Sequence, residues 1–92
     1  MNGSSTSSKL LLDGIVAQAK TFSSIDVALF PPAVYLQQVQ QALTGSHIKW
    51  GIQNVSSYHR GPYTGEIAAS MLHDFHCNYV LIGHSERRAL YA

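Results

Sequence analysis

The residues best suited to chemistry form one short segment near the end of the chain, Gly83 to Arg88. Within it, His84 comes just after an apolar run, Tyr79 to Ile82, and active residues of parallel α/β folds lie at such strand ends. Ser85 is a suitable N-cap for a helix that begins near Glu86. The free N–H groups of that helix N-terminus carry partial positive charge, which disfavours imidazolium. A neutral His84 can then donate an N–H that polarises a substrate carbonyl.

The same histidine also fits a simpler interpretation. It is then an ordinary strand-end histidine, solvated or hydrogen-bonded, because no base stands beside it in the sequence. Two other segments occupy corresponding positions at predicted strand ends, namely Phe30-Pro31-Pro32 and Gln53-Asn54-Val55-Ser56. Residue chemistry alone leaves both interpretations of His84 open.

Three stretches of the chain carry apolar residues at helical spacing and predict helices. The Ser/Thr-rich start offers N-caps for the first stretch, and Gly45 can end the second. The three apolar stripes are Leu11, Leu12, Ile15, Val16 and Ala19, then Tyr35, Val39, Ala42 and Leu43, then Ile67, Ala68, Met71, Leu72 and Phe75.

Short apolar runs between these helices predict strands at 26–30, 47–53 and 79–82. Strands that alternate with helices indicate βαβ units and a parallel sheet. The run 79–82 is apolar on both faces, as expected of a parallel strand covered on both sides. A closed (β/α)₈ barrel takes roughly 250 residues, so this chain has more than a third of the length of such a barrel. A small open α/β sheet is the alternative that periodicity leaves open.

Composition excludes several classes of function. Net charge is +1 and no basic block is present, which argues against a nucleic-acid site. No apolar run approaches the roughly 20 residues of a membrane span. Charged residues make up only 12% of the chain, which suggests that more chain or a partner covers part of its surface. His73, His76 and Cys77 lie close in sequence, but a zinc site needs more convergent ligands, so we interpret them as structural or surface residues.

Several segments together resemble the triosephosphate isomerase family. Gly83 to Arg88, preceded by Asn78 to Ile82, is similar to the family's strand-4 signature. Other segments resemble family sequence in the same order and spacing: Met1 to Ser4, Phe30 to Pro32, Gln53 to Ser56, and Tyr63 to Ile67. The resemblance covers essentially residues 1–92 as a single partial domain.

This resemblance implies a partial (β/α)₈ TIM barrel within the α/β class. The chain would supply barrel strands 2 to 4, helices 1 to 3 and the start of the next helix. The family interconverts dihydroxyacetone phosphate and D-glyceraldehyde 3-phosphate, in glycolysis and gluconeogenesis, by proton transfer through an enediolate. Its members are cytoplasmic homodimers that use no cofactor or metal. The family is itself the established example of a catalytic histidine kept neutral by a helix N-terminus.

The resemblance also implies roles for individual residues. His84 matches the electrophile, Ser85 a residue that holds the waiting base, Glu86 a residue that pairs with the catalytic lysine, and Arg87 a neighbour that fixes the loop. Positions at the subunit interface are matched by Asn54, Tyr63, Thr64 and Gly65. The loop 56–65 would insert beside the active site of the partner.

Two catalytic groups of the family have no match here. The family's lysine lies just before the position of Met1, and its glutamate base lies on strand 6, beyond Ala92. The lysines present, Lys9, Lys20 and Lys49, stand elsewhere. We therefore expect residues 1–92 alone to be inactive, because proton transfer needs a base within reach of the carbon acid. The alternative function is a non-catalytic α/β half-barrel that acts as a binding or assembly module through loop 56–65.

Overall fold

The structure is a computed structural model that describes residues 1–92. It contains three α-helices, three short strands and three 3₁₀ segments. In chain order these are helix α1 (Ser5–Gln18), a 3₁₀ turn (Ala19–Phe22), strand β1 (Ala28–Leu29), a 3₁₀ turn (Ala33–Tyr35), helix α2 (Leu36–Leu43), strand β2 (Lys49–Ile52), a 3₁₀ helix (Ala69–Phe75), strand β3 (Tyr79–Val80) and helix α3 (Ser85–Tyr91).

The strands form one parallel sheet in the order β1-β2-β3. Ala28 pairs with Lys49 on one side of the central strand, and Gly51 pairs with Tyr79 on the other side. The backbone N–H of Leu81 also bonds the Ile52 carbonyl at 2.9 Å, which continues the pairing beyond β3. The predicted parallel α/β fold is confirmed, although each strand is shorter than its apolar run.

Helix α1 begins where the Ser/Thr-rich start supplies a capping box. The Ser4 hydroxyl accepts from the Ser7 backbone N–H at 3.0 Å, and the Ser7 hydroxyl accepts from the Ser4 backbone N–H at 2.9 Å. Each side chain satisfies a backbone donor that the first helical turn leaves free. The helix then presents Leu12 to the core, whereas Leu11 and Val16 of the predicted stripe are exposed.

Helix α2 confirms its predicted stripe in part: Val39 and Leu43 are buried, whereas Tyr35 lies in the 3₁₀ turn before the helix and Leu36 is buried instead. Leu36, Val39 and Leu43 are buried at a spacing that places them on one helical face. Gly45 then adopts a left-handed φ of +89°, a conformation that favours glycine after a helix C-terminus. The predicted role of Gly45 is therefore confirmed.

The core lies between α1, α2, the 3₁₀ helix 69–75 and β2, with α2 in contact with each of the other three. On the central strand, Trp50 is buried and its indole Nε1 donates to the Phe75 carbonyl at 2.7 Å. The buried residues of this cluster are Leu12, Ala19, Leu36, Val39, Leu43, Ile48, Trp50, Ile52 and Leu72.

Two expectations about the second half of the chain are wrong in detail. The third apolar stripe forms a 3₁₀ helix that buries Leu72 but leaves Met71 exposed. Residues three apart share a face of a 3₁₀ helix, so the four-residue spacing of the predicted stripe does not keep its members on one face. The run 79–82 was expected to be covered on both faces, yet Tyr79, Leu81 and Ile82 are exposed at the edge of the sheet.

Candidate functional site

The segments that follow the three strands meet at one groove, as parallel strands require. This carboxyl-edge groove has a volume of about 640 Å³. It is lined by Met1, Pro32, Ala33, Ile52, Gln53, Asn54, Val55, Gly65, Glu66, Ile67, Leu81, His84, Glu86, Arg87, Leu90 and Tyr91. The structure thus brings His84, Glu86 and Arg87 together with Asn54 and Gly65, which sequence reasoning singled out separately. The only acidic side chains that line this groove are Glu66 and Glu86, and no lysine lines it.

His84 lies at the turn between β3 and α3. Gly83 takes a left-handed φ of +68° and reverses the chain after the strand. His84 then acts as the N-cap of α3, because its Nδ1 accepts from the Glu86 backbone N–H at 3.2 Å. Ser85 was expected to be the cap, and that expectation is wrong: Ser85 is the first helical residue. The ring nitrogen of His84 accepts from the free N–H two residues ahead, as the side-chain oxygen of a Ser, Thr, Asp or Asn N-cap usually does.

The cap also fixes where the ring carries its proton. A nitrogen that accepts a hydrogen bond has no proton, so a neutral His84 bonded in this way holds its hydrogen on Nε2. Glu86 Oε2 lies 3.8 Å from the same Nδ1 and would compete for it only if that nitrogen were protonated. The backbone N–H lies within hydrogen-bond range of Nδ1, and the carboxylate oxygen does not.

The two arginines of α3 have different contacts. The Arg87 guanidinium lies over the Tyr91 ring at 5.1 Å, within the range of a cation–π contact. Arg88 turns back instead, and its Nε donates to the Gly83 carbonyl at 2.7 Å. Sequence reasoning included Arg88 in the segment 83–88 but gave it no role, since a basic residue in a short helix usually indicates only a solvated surface.

A second contact missed by sequence reasoning joins the first two strand ends. The Gln53 side-chain amide, Nε2, donates to the Phe30 carbonyl at 2.8 Å. This bond ties the segment after β2 to the segment after β1 at the rim of the groove. The segments themselves were recognisable, but a contact between residues this far apart in the chain has no local signal.

Loop 56–65 projects beside the groove and is internally ordered. The rings of Tyr58 and Tyr63 stack with centroids 4.1 Å apart and planes 9° apart. Thr64 and Gly65 follow this stack and are exposed. Asn54, which precedes the loop, is half-buried and lines the groove with Gly65. Of the residues expected at an interface, Asn54 and Gly65 therefore share the groove, and Tyr63 belongs to the aromatic pair.

The remaining candidates lie outside the groove. His73 and His76 flank the end of the 3₁₀ helix, and no three His, Cys, Asp or Glu side chains of the chain converge as ligands of one metal ion. Burial raises the pKa of the Cys77 thiol, which opposes formation of a nucleophilic thiolate. None of the helices has the length and apolar character needed to cross a membrane.

Comparison with known proteins agrees with this geometry. The family model described as "Triosephosphate isomerase" matches residues 1–92. Among curated relatives with that name, the protein of Nitrosomonas europaea is 46% identical over 91 residues, which are 99% of this chain and 36% of the relative. That of Coxiella burnetii strain Dugway is 49% identical over 88 residues, covering 96% and 34% of the two chains. That of Hahella chejuensis is 52% identical over 91 residues, with coverage of 99% and 36%.

The chain thus spans about a third of the length of these curated relatives. The matched residues include both the parallel sheet and every side chain of the groove described above. The chain belongs to the triosephosphate isomerase family.

Proposed function

We propose that the complete gene product interconverts dihydroxyacetone phosphate and D-glyceraldehyde 3-phosphate, and that His84 is its electrophile. The observation that carries this proposal is the N-cap of α3. His84 Nδ1 is occupied by the Glu86 N–H, so the Nε2–H is left to donate to a substrate oxygen. The family supports the substrate class, and the groove supports the position, because His84 lies at the carboxyl edge of the parallel sheet.

The chemical task of this donor is to stabilise charge. When a proton leaves the carbon beside a carbonyl, negative charge develops on the carbonyl oxygen, and a fixed N–H lowers the energy of that state more than that of the substrate. A donor whose other ring nitrogen is already hydrogen-bonded needs little reorganisation during the reaction. We assign supporting roles in this loop to Ser85, Glu86 and Arg87, which follow His84 along α3.

Residues 1–92 on their own supply this donor without an assigned base. Glu66 and Glu86 are the carboxylates of the groove, and neither matches the family's base. We therefore expect no isomerase turnover above background from residues 1–92 in an assay coupled to a triose-phosphate dehydrogenase. Turnover at an enzyme-like rate would contradict this expectation and would give one of these carboxylates the role of base.

Substitution of His84 in the complete gene product tests the proposal directly. His84→Gln should lower kcat about 100-fold or more, the usual cost of removing one donor that stabilises a developing oxyanion. His73→Gln is the matched control, because His73 is exposed on the 3₁₀ helix and lies outside the groove. An active His84→Gln variant, or an unmodified protein without isomerase activity, would overturn the assignment.

We further propose that Asn54, Tyr63, Thr64 and Gly65 form part of a homodimer interface through loop 56–65. The support is the exposed loop, in which the Tyr58 and Tyr63 rings stack and Gly65 lines the groove. Thr64→Arg should shift the complete gene product from dimer to monomer in light scattering. Dimerisation through this loop without isomerase activity would favour the alternative, a non-catalytic assembly module. A cytoplasmic location is also proposed, because the proposed reaction is part of glycolysis and gluconeogenesis.

A further inference from the structure

We propose that Arg88 is a positioning residue for His84, acting through the two peptide groups on either side of the histidine. The proposal rests on the electrophilic role of His84. Arg88 contacts both peptides: its Nε donates to the Gly83 carbonyl at 2.7 Å, and its backbone N–H donates to the His84 carbonyl at 3.1 Å.

These two bonds determine how the imidazole is aimed. The peptide group before a residue and the one after it set its φ and ψ, and those angles set the direction of its Cα–Cβ bond. His84 has φ −51° and ψ 143°, with Gly83 at a left-handed φ of +68° immediately before it. The bond from the Arg88 side chain restrains the orientation of the Gly83 carbonyl in this turn.

Packing does not supply this restraint. The His84 side chain is 53% exposed, and α3 has no buried residue. Hydrogen bonds are then the local forces that distinguish one ring orientation from another. The ring is restrained at Nδ1 by the Glu86 N–H, and its backbone is restrained on both sides by Arg88.

The absence of a side chain at Gly83 leaves the space that the Arg88 guanidinium occupies. A Cβ placed on Gly83 would lie 2.8 Å from Arg88 Nη2 and 3.1 Å from Nε, closer than a carbon normally approaches these atoms. A side chain at position 83 would therefore displace the guanidinium even if its backbone conformation were tolerated. Gly83 and Arg88 act as a pair, and we expect their substitutions to be non-additive.

Three variants separate the hydrogen bond from the charge. Gln carries Nε2 the same number of bonds from Cα as the Nε of arginine, so Arg88→Gln keeps a donor without the charge. Arg88→Lys keeps the charge but has a methylene at that position. Arg88→Ala removes both. The backbone bond to His84 remains in all three variants, so each one tests the side chain alone.

Kinetics of the complete gene product give the first readout. Arg88→Ala and Arg88→Lys should each lower kcat about tenfold, with KM changed by less than about twofold, because a misaimed donor weakens the transition state more than substrate binding. Arg88→Gln should recover most of the loss. A Lys variant that restores kcat, or a Gln variant as impaired as Ala, would overturn the proposal.

A spectroscopic readout distinguishes failure of this proposal from failure of the proposed function. The ¹⁵N shifts of the His84 ring report which nitrogen carries the proton, and they require no turnover. In the unmodified protein we expect Nδ1 to be unprotonated. Arg88→Ala should mix the two tautomers and leave the ring signals of His73 unchanged, whereas Arg88→Gln should preserve the original pattern. Unchanged His84 signals in Arg88→Ala would refute the positioning role, whatever reaction the protein catalyses.

Discussion

Two regions of this molecule meet at β2 and are held in place by different forces. Residues 5–52 contain eight of the ten buried hydrophobic residues, whereas residues 79–92 contain none. The second region nevertheless carries the candidate electrophile. The turn at Gly83 and His84 is held by contacts to backbone groups, from His84 Nδ1, from Arg88 Nε and through pairing with β2. Apolar packing holds the first region together, and polar contacts orient the candidate electrophile in the second.

The largest expected effect comes from removing a core side chain in the first region. Leu43 is 0% exposed, so Leu43→Ala should lower the free energy of unfolding of residues 1–92 by about 4 kcal/mol, the cost of lost burial plus a cavity. Leu90 in the second region is 72% exposed, and Leu90→Ala should cost less than about 0.5 kcal/mol. Urea denaturation measures both. Equal losses in the two variants would remove the distinction between the regions.

The junction between the regions should be nearly as sensitive. A Cβ on Gly51 would overlap the Tyr79 carbonyl oxygen and the Phe30 ring, so Gly51→Ala must push β3 away from β2. We expect a loss of about 3 kcal/mol in the free energy of unfolding. Gly14→Ala in α1 is the control, because a Cβ there meets nothing within 4 Å and alanine favours a helix. If Gly51→Ala unfolds like the parent, the close approach of the strands is not required.

Two left-handed glycines extend the comparison, with smaller expected losses of stability. Gly45 and Gly83 have φ of +89° and +68°, so alanine at either position should cost about 1–2 kcal/mol of stability. A Cβ on Gly45 meets nothing, whereas one on Gly83 meets the Arg88 guanidinium. Only Gly83→Ala should therefore lower kcat of the complete gene product, by about tenfold. Equal activity in the two variants would show that the turn before His84 tolerates displacement.

The smallest effect concerns Cys77, next to the core. Burial raises the pKa of its thiol, so the folded state holds that proton at pH values where the unfolded chain releases it. The stability contribution is complete below the ordinary thiol pKa and is lost as pH rises toward the raised value. The free energy of unfolding of the parent should fall slightly more between pH 8 and pH 10 than that of Cys77→Ala, as measured by urea denaturation at each pH. Parallel pH profiles would contradict this.

Local patterns predicted the parts of this molecule that local physics controls. The stripe through Val39 and Leu43 buries one face of α2, and Gly45 ends it, because helix periodicity and glycine conformation act over a few residues. An N-cap of α1 within the Ser/Thr-rich start was predicted for the same reason, and the structure places it at Ser4. The stripe of α1 was less reliable, since Leu11 and Val16 are exposed although their spacing suits a buried face.

The features that sequence did not reveal depend on competition between neighbouring cap residues or on contacts that form only in the folded chain. Serine is a usual N-cap residue, but the turn at Gly83 places the His84 ring against the free backbone N–H of Glu86, so His84 is the cap. Arg88 gave no sign of its bond to Gly83, because that bond exists only once the left-handed turn has formed. The stack between Tyr58 and Tyr63 likewise follows from the folded path of the loop.

The single tryptophan gives the fold a built-in optical reporter. Trp50 lies on the central strand, and its indole is bonded to the carbonyl of Phe75 at the end of the 3₁₀ helix. Detachment of that helix would expose the indole to water and shift its fluorescence to longer wavelength before the rest of the core melts. One emission spectrum can therefore show whether the 3₁₀ helix stays docked on β2 while the turn at Gly83 and His84 is altered by substitution.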